Sequence, residues 1–159
     1  MKLLLSVILV IFSNTCAIAQ DLPGAMTRIV DKYQNMCKNS GSGKLILYDK
    51  SIVQVDLNLN NKSDWILDVS YLFCETDQGQ GGPTPVRAGS AGSPIEIFID
   101  GNHSSVYARS WEITSIGLVN TPVLLLEQSG IVCGGDGALY CVEALVWDRG
   151  MLQSVRHRE

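Results

Sequence analysis

The sequence predicts an α+β protein that is mainly β, with one N-terminal helix packed on a largely antiparallel sheet or small sandwich that disulfides staple. Three observations predict this class. Apolar residues recur at three- and four-residue steps in a single segment near the N-terminus. The remainder of the chain is a series of short β-prone runs separated by turn residues. Four cysteines follow the N-terminal leader, which is typical of a small exported domain.

The N-terminus has the pattern of a secretory signal peptide. Lys2 precedes the apolar run Leu3 to Phe12, and Ala17-Ile18-Ala19 matches a small-residue cleavage site. The alternative, an uncleaved anchor, is disfavoured because the run is short for a membrane core of about 30 Å. We expect residues 1–19 to be a signal peptide and residues 20–159 to be a single exported domain, periplasmic or secreted.

Charge narrows the classes of partner. The formal net charge is −4, and removal of Lys2 with the leader would make it −5. An acidic chain without a basic stripe does not replace the counterions of a nucleic acid, so a nucleic-acid partner is not expected. After the leader, no apolar stretch in the sequence is long enough to span a membrane.

The cysteines of the predicted mature chain are Cys37, Cys74, Cys133 and Cys141. Three pairings are possible. A glycine-rich turn separates Cys133 from Cys141 and can bring them face to face, so this pair is favoured, which leaves Cys37 with Cys74. A zinc site is the disfavoured alternative, because the cysteines lack Cys-x-x-Cys spacing and both histidines are isolated.

The helix is predicted over Pro23 to Asn39. Pro23 suits a first helical position, and a Ser/Gly-rich stretch ends the helix after Asn39. Its apolar face consists of Met26, Ile29, Val30, Tyr33, Met36 and Cys37. Because Cys37 lies on this face, a disulfide to Cys74 would join the helix to the sheet.

Strand-like runs follow the helix. Leu45 to Leu47 and Ile52-Val53 flank a turn, and we expect Trp65 to Cys74 to form one continuous strand. In that strand Asp68 points away from Trp65 and is interpreted either as a surface residue or as one that supports the ligands of the preceding loop. Residues 77–94 are rich in Gly, Pro and Ser and are predicted to be a long loop, for which disorder is favoured over function.

The C-terminal half carries further strand patterns. Ile95 to Ile99 alternates, and Asp100-Gly101 is typical of a hairpin turn that leads into a strand expected from Ser105 to Ile113. Pro122 to Glu127 is continuously apolar and is predicted to be a central strand. The last two strands are predicted at Tyr140 to Trp147 and Met151 to Val155, before a polar tail at 156–159.

The segment after Val55 places oxygen-bearing groups where they can surround a hard cation, since alternate residues of a tight loop point inward. The candidate ligands are Asp56, Asn58, Asn60, the carbonyl of Lys62, and Asp64. Asn61 stands where such loops favour glycine, and Asn tolerates positive φ. The set contains only two carboxylates.

The run Asp56-Leu57-Asn58-Leu59-Asn60-Asn61-Lys62-Ser63-Asp64-Trp65 resembles the loop of FG-GAP and VCBS-type repeats. Over Val55 to Cys74 the chain is also similar to short exported bacterial proteins that carry one such loop. The resemblance implies a calcium-binding or structural turn at the same positions, with weak calcium binding because the set contains only two carboxylates. Asn60 replaces the usual third carboxylate, Leu67 replaces the closing Glu of an EF-hand, and one copy excludes a propeller.

The alternative to metal binding is an Asx-rich turn that its own side-chain hydrogen bonds hold. No other pattern has catalytic spacing. His103 and His157 are interpreted as solvated side chains. The remaining candidate carboxylates, interpreted as ordinary charges on strand faces, are Glu96, Glu112, Glu127 and Glu143.

These observations predict a non-enzymatic exported domain that binds an unknown protein or envelope component, for example as an inhibitor or immunity-type protein. The expected contact surfaces are the 77–94 loop and the Cys133–Cys141 turn, because loops on a rigid sheet carry recognition. Two alternatives stay open. One is a calcium-stabilised structural module, and the other is a small envelope hydrolase that uses scattered carboxylates such as Asp64 and Asp68.

Overall fold

A computed structural model describes residues 22–41, 43–75, 82–86, 89, 91–135 and 139–155 of the chain. The predicted signal peptide, part of the 77–94 loop, and the tail with His157 lie outside the described residues. Within them the chain forms one α-helix and three antiparallel sheets, which confirms the predicted α+β, mainly β class. No helix in this part of the chain has the length and apolar character that a membrane span requires.

The helix α1 spans Gly24–Asn39, one residue shorter than predicted. Pro23 precedes it, and the carbonyl of Pro23 accepts the first helical hydrogen bond from the amide of Thr27 at 3.0 Å. The predicted apolar face is buried at Met26, Tyr33 and Cys37. The periodic apolar pattern therefore identified both the helix and the face that packs inward.

Among the described residues, eleven strands follow the helix, and two short 3-10 turns, at Val69–Tyr71 and Gly130–Cys133, interrupt them. The strands are β1 Leu45–Leu47, β2 Ile52–Val55, β3 Asp64–Asp68, β4 Leu72–Cys74, β5 Thr84–Pro85, β6 Ser93–Ile99, β7 Asn102–Ala108, β8 Ser110–Ile116, β9 Thr121–Ser129, β10 Tyr140–Asp148 and β11 Met151–Ser154. The small sheet has the order β1-β4-β5, the middle sheet β2-β3-β6-β7, and the outer sheet β11-β10-β9-β8.

The middle sheet is covered on both sides. On one side Trp65, Leu67 and Phe98 share a core with α1 and the small sheet. On the other side Ile66 and the isoleucines of β6 share a second core with the outer sheet. Every residue of β3 and β6 is therefore buried. Of the two predicted alternatives, a single sheet or a small sandwich beneath the helix, the described residues form the sandwich.

The prediction of one strand from Trp65 to Cys74 is wrong. β3 ends at Asp68, whose carboxylate accepts the amide of Ser70 at 2.9 Å and so starts the 3-10 turn. β4 then joins a different sheet, where Leu45 lies opposite Cys74. The strand-like sequence of the turn concealed this break, because the short-range Asp–Ser hydrogen bond competes with the sheet ladder.

The single strand expected from Ser105 to Ile113 is also wrong. It is divided at Arg109 into β7 of the middle sheet and β8 of the outer sheet. The amide of Arg109 donates to the carbonyl of Glu127 at 2.8 Å, so the chain turns from one sheet into the other at this residue. The bent β7–β8 segment connects the two layers of the sandwich.

Several local predictions are confirmed. Asp100 and Gly101 have φ of 48° and 80°, as a tight hairpin turn requires. β9 has two neighbours in its sheet, so the apolar run within it is a central strand. The predicted 77–94 loop is partly wrong, because Thr84–Pro85 pairs with β4 and Ser93 and Pro94 begin β6.

Both favoured disulfides are present. Cys37–Cys74 joins α1 to β4, with the two Cα atoms 5.3 Å apart. Cys133–Cys141 joins the second 3-10 turn to the start of β10, with a Cα–Cα distance of 6.4 Å. The first disulfide ties the helical layer to the small sheet, and the second closes a turn at one end of the outer sheet.

Candidate functional site

The loop between β2 and β3 is closed by its own side chains. The carboxylate of Asp56 accepts the amides of Asn60 at 3.1 Å and Asn61 at 2.8 Å. The side-chain oxygen of Asn58 accepts the same Asn60 amide at 3.2 Å, and that of Asn60 accepts the Lys62 amide at 2.7 Å. These are the bonds of an Asx-rich turn. Asn61 has the positive φ, 62°, that the sequence predicted for the glycine-like position.

Asp100 belongs to the same cluster, although the sequence did not assign it there. Its carboxylate accepts the side-chain amide of Asn58 at 2.6 Å and that of Asn60 at 2.8 Å. β3 pairs with β6 in antiparallel register, which places the residues just before β3 beside those just after β6. The Asp-Gly signal identified a hairpin at this position. The long-range strand pairing that sets its neighbours is not visible in a local pattern.

Asp64 lies beneath the loop and is only 2% exposed. Its carboxylate accepts the amide of Leu57 at 2.8 Å. Burial raises the pKa of Asp64 above its ordinary value of 3.8, and the negative charges of Asp100 and Asp56 raise it further. Hydrogen bonds from the backbone of Leu57 and Asp100 oppose this shift. Asp64 is therefore a buried anchor of the loop whose ionised form is disfavoured by its surroundings.

The five predicted ligands are thus near one another, but their polar atoms serve the turn. Asn58 and Asn60 direct their side-chain nitrogens at Asp100 and their oxygens at backbone amides. In the described part of the chain, no group of three or more His, Cys, Asp or Glu side chains has the arrangement of a metal site. Cation binding would require exchange of these hydrogen bonds for metal–oxygen contacts.

The interpretation of Asp68 as a surface residue is wrong. It is 4% exposed, and its carboxylate accepts the indole nitrogen of Trp111 at 2.7 Å and the hydroxyl of Ser70 at 2.6 Å. Asp68 and Ile66 are two positions apart in β3 and therefore point to the same side of the strand. That side faces the outer sheet, with which Ile66 shares a core. Asp64 and Asp68 are four residues apart in one strand, a separation of about 13 Å. This exceeds the spacing of about 5–9.5 Å between the paired carboxylates of glycosidases.

The interpretation of Glu96 as a surface charge is wrong as well. Glu96 is 2% exposed, and its two carboxylate oxygens lie 2.8 Å from the Tyr33 hydroxyl and 2.8 Å from Nε2 of His103. His103, expected to be solvated, also stacks on Phe98 with ring centroids 4.8 Å apart. The strand pattern could not show this network, because it depends on the helix that covers this side of the middle sheet.

The Cys133–Cys141 turn carries a group of exposed apolar side chains. They lie on the 3-10 turn and at the beginning of β10, and they are between 44% and 69% exposed. We name this set the stapled surface, and it consists of Ile131, Val132, Leu139, Tyr140 and Val142. Apolar patches on a monomer mark interaction sites more often than isolated apolar residues do.

The backbone of the stapled surface is held at several points besides the disulfide. The amide of Gly130 donates to the carbonyl of Leu139 at 2.7 Å, and the amide of Gly135 donates to the carbonyl of Gly130 at 2.8 Å. The guanidinium carbon of Arg109 lies 4.4 Å from the centroid of the Tyr140 ring, a cation–π contact at the edge of the patch. The described residues on both sides of this turn are thus joined by the disulfide and by backbone hydrogen bonds, and Arg109 borders their exposed apolar side chains.

The sequence therefore located the Asp56–Asp64 loop, the disulfides and the Cys133–Cys141 turn. It did not indicate that Asp100 joins the loop, that Asp68 contacts Trp111 or that Glu96 is buried. Comparisons of this chain with protein-family models, curated proteins and solved structures gave no match.

Proposed function

We propose that this chain is an exported, non-enzymatic domain that binds a protein through the stapled surface. The observation that carries the proposal is the gathering of exposed apolar side chains on a turn that a disulfide and backbone hydrogen bonds close. Aromatic and large apolar residues are typical of the buried centre of protein interfaces. A backbone that is already fixed also loses little conformational entropy on binding.

The two disulfides support a periplasmic or secreted location, because disulfides persist in oxidising compartments and are rare in the cytosol. An inhibitor or immunity-type protein is the specific form of the proposal. In this form Tyr140, with Arg109 on its ring, is the central contact. Tyr and Arg are the side chains most often found at binding hot spots.

The test uses the oxidised chain, immobilised and exposed to envelope extract of the host at low salt. The retained protein is then purified, and its dissociation constants for the wild-type chain and for variants of the chain are measured. We expect Ile131→Ser and Val142→Ser to weaken binding at least fivefold each, the effect of losing about 1 kcal/mol at an interface. Leu118→Ser is the matched control, because Leu118 is fully exposed in a different turn.

The proposal is contradicted if no protein is retained at low salt. It is also contradicted if a retained protein binds the Ile131→Ser and Leu118→Ser variants with equal affinity, because the contact then lies elsewhere. Near-UV circular dichroism of each variant distinguishes a lost contact from a lost fold.

A calcium-stabilised module is a second candidate, and the position of Asp100 favours it. Asp100 lies within hydrogen-bond distance of Asn58 and Asn60 and adds a carboxylate that the predicted ligand set lacked. Ligand charge raises calcium affinity. If calcium binds the native loop, it stabilises the fold by about 2.7 kcal/mol when its concentration is about 100 times the dissociation constant.

Melting curves in EDTA and in millimolar calcium test this candidate. Calcium should raise the melting temperature of the wild type, and Asp100→Asn should reduce the increase. Asp49→Asn, at an exposed position outside the loop, is the matched control. Identical melting curves of the wild type under the two conditions would exclude calcium stabilisation.

A further inference from the structure

A cleft lies where the small, middle and outer sheets meet. Its central cavity has a volume of about 400 Å³. The turn between β1 and β2 supplies Lys50 to its wall, the first 3-10 turn supplies Tyr71, and the edge strand β8 supplies Trp111. Asp68 and Ser70 also line it. Loops and strand ends from all three sheets thus converge on one depression.

The buried carboxylate of Asp68 has a fixed orientation in this cavity. One of its oxygens accepts both the amide and the hydroxyl of Ser70, and the other accepts the indole nitrogen of Trp111 at 2.7 Å. A carboxylate offers about four acceptor positions. The described contacts fill three of them, so the oxygen bound to Trp111 has room for one further donor.

Two more cavities adjoin the central one through shared lining residues, and they share none with each other. One, of about 390 Å³, shares Lys50 and Tyr71 with the central cavity and adds Tyr48 and Phe73. The other, of about 430 Å³, shares Trp111 and continues over the outer sheet. We name the three adjoining cavities the junction groove. Its elongated form suits a chain-like ligand better than a compact one.

Aromatic side chains occur along the groove. Tyr48 and Tyr71 are 46% and 37% exposed, and Trp111 is half-buried between the central and outer cavities. The apolar C–H faces of pyranose rings pack on aromatic rings, while sugar hydroxyls remain free for hydrogen bonds. Tyr and Trp combine a large apolar face with a polar group and are suited to such an amphipathic ligand.

The charges of the groove restrict the kind of glycan. Two basic residues, Lys50 and Arg109, line it. Four acidic residues line it, and they are Asp49, Asp68, Glu112 and Glu127. Two positive and four negative charges give a formal charge of −2, which repels a polyanionic chain. The carboxylates instead accept hydrogen bonds from hydroxyl or acetamido groups.

The acceptors also discriminate against a proline-rich peptide, which is the other ligand that aromatic-lined grooves bind. Proline has no backbone N–H, so a proline-rich chain presents mainly carbonyl acceptors. The groove presents carboxylates, among them Asp68 with its remaining acceptor position. A hydroxyl-rich ligand supplies the donors that these groups lack.

We propose that the junction groove binds an uncharged, β-linked glycan chain, with pyranose rings on Tyr71 and Trp111 and a sugar hydroxyl donating to Asp68. β-linked pyranose chains are extended, which matches three cavities that adjoin in series. The outer cavity of the groove meets the stapled surface at Val142, which lines it. The proposed glycan contacts at Tyr71, Trp111 and Asp68 lie outside the stapled surface, so this proposal does not depend on the protein-binding proposal.

Isothermal titration calorimetry of the oxidised chain with chitohexaose and cellohexaose tests the proposal, with hexagalacturonate and a proline-rich decapeptide as competing classes. At least one neutral hexasaccharide should bind with saturation. Tyr71→Ala should weaken that binding about three- to tenfold, which corresponds to an aromatic contact of about 0.5–1.5 kcal/mol. Asp68→Asn should weaken it as well.

Tyr107→Ala is the matched control, because Tyr107 is 43% exposed and lies outside the groove. It should bind the glycan like the wild type, and so should Ile131→Ser, which alters only the stapled surface. A change of tryptophan fluorescence on titration, lost in Trp111→Phe, would place the sugar in the central cavity.

Three results overturn the proposal. The first is that neither neutral hexasaccharide binds. The second is that the anionic glycan or the peptide binds more tightly than both neutral hexasaccharides. The third is that Tyr71→Ala binds the neutral glycan with wild-type affinity. Because Tyr71 is substantially exposed, its substitution tests the site even if Asp68→Asn disturbs the fold.

Discussion

Three buried carboxylates determine much of the local structure of the middle sheet. Asp64, Asp68 and Glu96 are each less than 5% exposed. Each accepts hydrogen bonds from a different part of the molecule: the Asp/Asn loop, the outer-sheet residue Trp111, and the helical residue Tyr33. A buried charge is tolerated only when donors satisfy it. These contacts therefore fix how the layers are placed relative to one another.

The Tyr33–Glu96 contact gives the first residue-scale prediction. Tyr33→Phe removes the hydroxyl that donates to Glu96 at 2.8 Å and leaves the buried carboxylate with one donor fewer. We expect the free energy of unfolding to fall by about 1.5–3 kcal/mol, the range for a hydrogen bond to a charged group. Urea unfolding measures it. Tyr48→Phe, at an exposed tyrosine, is the control and should change stability little; equal losses would contradict the assignment.

The raised pKa of Asp64 gives the second residue-scale prediction. Below its ordinary value of 3.8 the group is protonated in both states. As the pH rises through the raised native pKa, the native carboxyl ionises in a buried site, and the stability present at low pH is lost. Asp64→Asn does not titrate, so its stability relative to wild type should increase over this interval and then become constant.

Urea unfolding of both proteins over a pH series measures this difference. Asp49→Asn controls for the loss of one negative charge at an exposed position. A relative stability of Asp64→Asn that decreases as the pH rises would show that the native site favours the ionised form, contrary to the prediction.

At the scale of elements, the sequence predicted what local periodicity encodes. The helix, the strand at Ile95, the Asp100-Gly101 hairpin and the central strand β9 each follow from a pattern within the segment itself. The break after Asp68 rests on a local hydrogen bond to Ser70 that the strand-like pattern concealed. The break at Arg109 depends on a contact between segments. The amide of Arg109 pairs with Glu127, which is 18 positions further along the chain.

The same distinction applies to the candidate site. The loop ligands follow one another in sequence and were predicted together, whereas Asp100 reaches them only through the β3–β6 pairing. The stapled turn was predicted because the spacing of Cys133 and Cys141 is itself local. The junction groove draws on all three sheets, and no single segment contains its pattern.

The two disulfides give a prediction at the scale of elements. They close loops with sequence separations of 37 and 8 residues. The chain-entropy relation then assigns them about 4 and about 2.5 kcal/mol of stability, respectively. We expect Cys37→Ala/Cys74→Ala to lose more stability than Cys133→Ala/Cys141→Ala. Urea unfolding measures the stability that each double variant loses. A larger loss in Cys133→Ala/Cys141→Ala would show that native contacts of the Cys133–Cys141 turn outweigh the effect of loop length.

At the scale of the whole molecule, the layers separate stability from recognition. The central strands β3 and β6 of the middle sheet are buried on both sides, so these two strands present no surface to a partner. The stapled surface lies at an end of the outer sheet, and the junction groove lies where the three sheets meet. A partner or ligand therefore contacts turns and strand ends that the middle sheet supports, as is usual for binding residues carried by a rigid scaffold.

This layering predicts the order of hydrogen exchange. Amides of β3 and β6 should exchange last, because opening either strand disrupts two cores at once. Amides of β11, at the edge of the outer sheet, and of residues 117–120, in an exposed turn, should exchange first. β9 is the internal comparison, because it is also a central strand but belongs to one core only. Native-state exchange followed by NMR measures the order, and slower exchange in β9 than in β3 would place the most stable unit in the outer sheet instead.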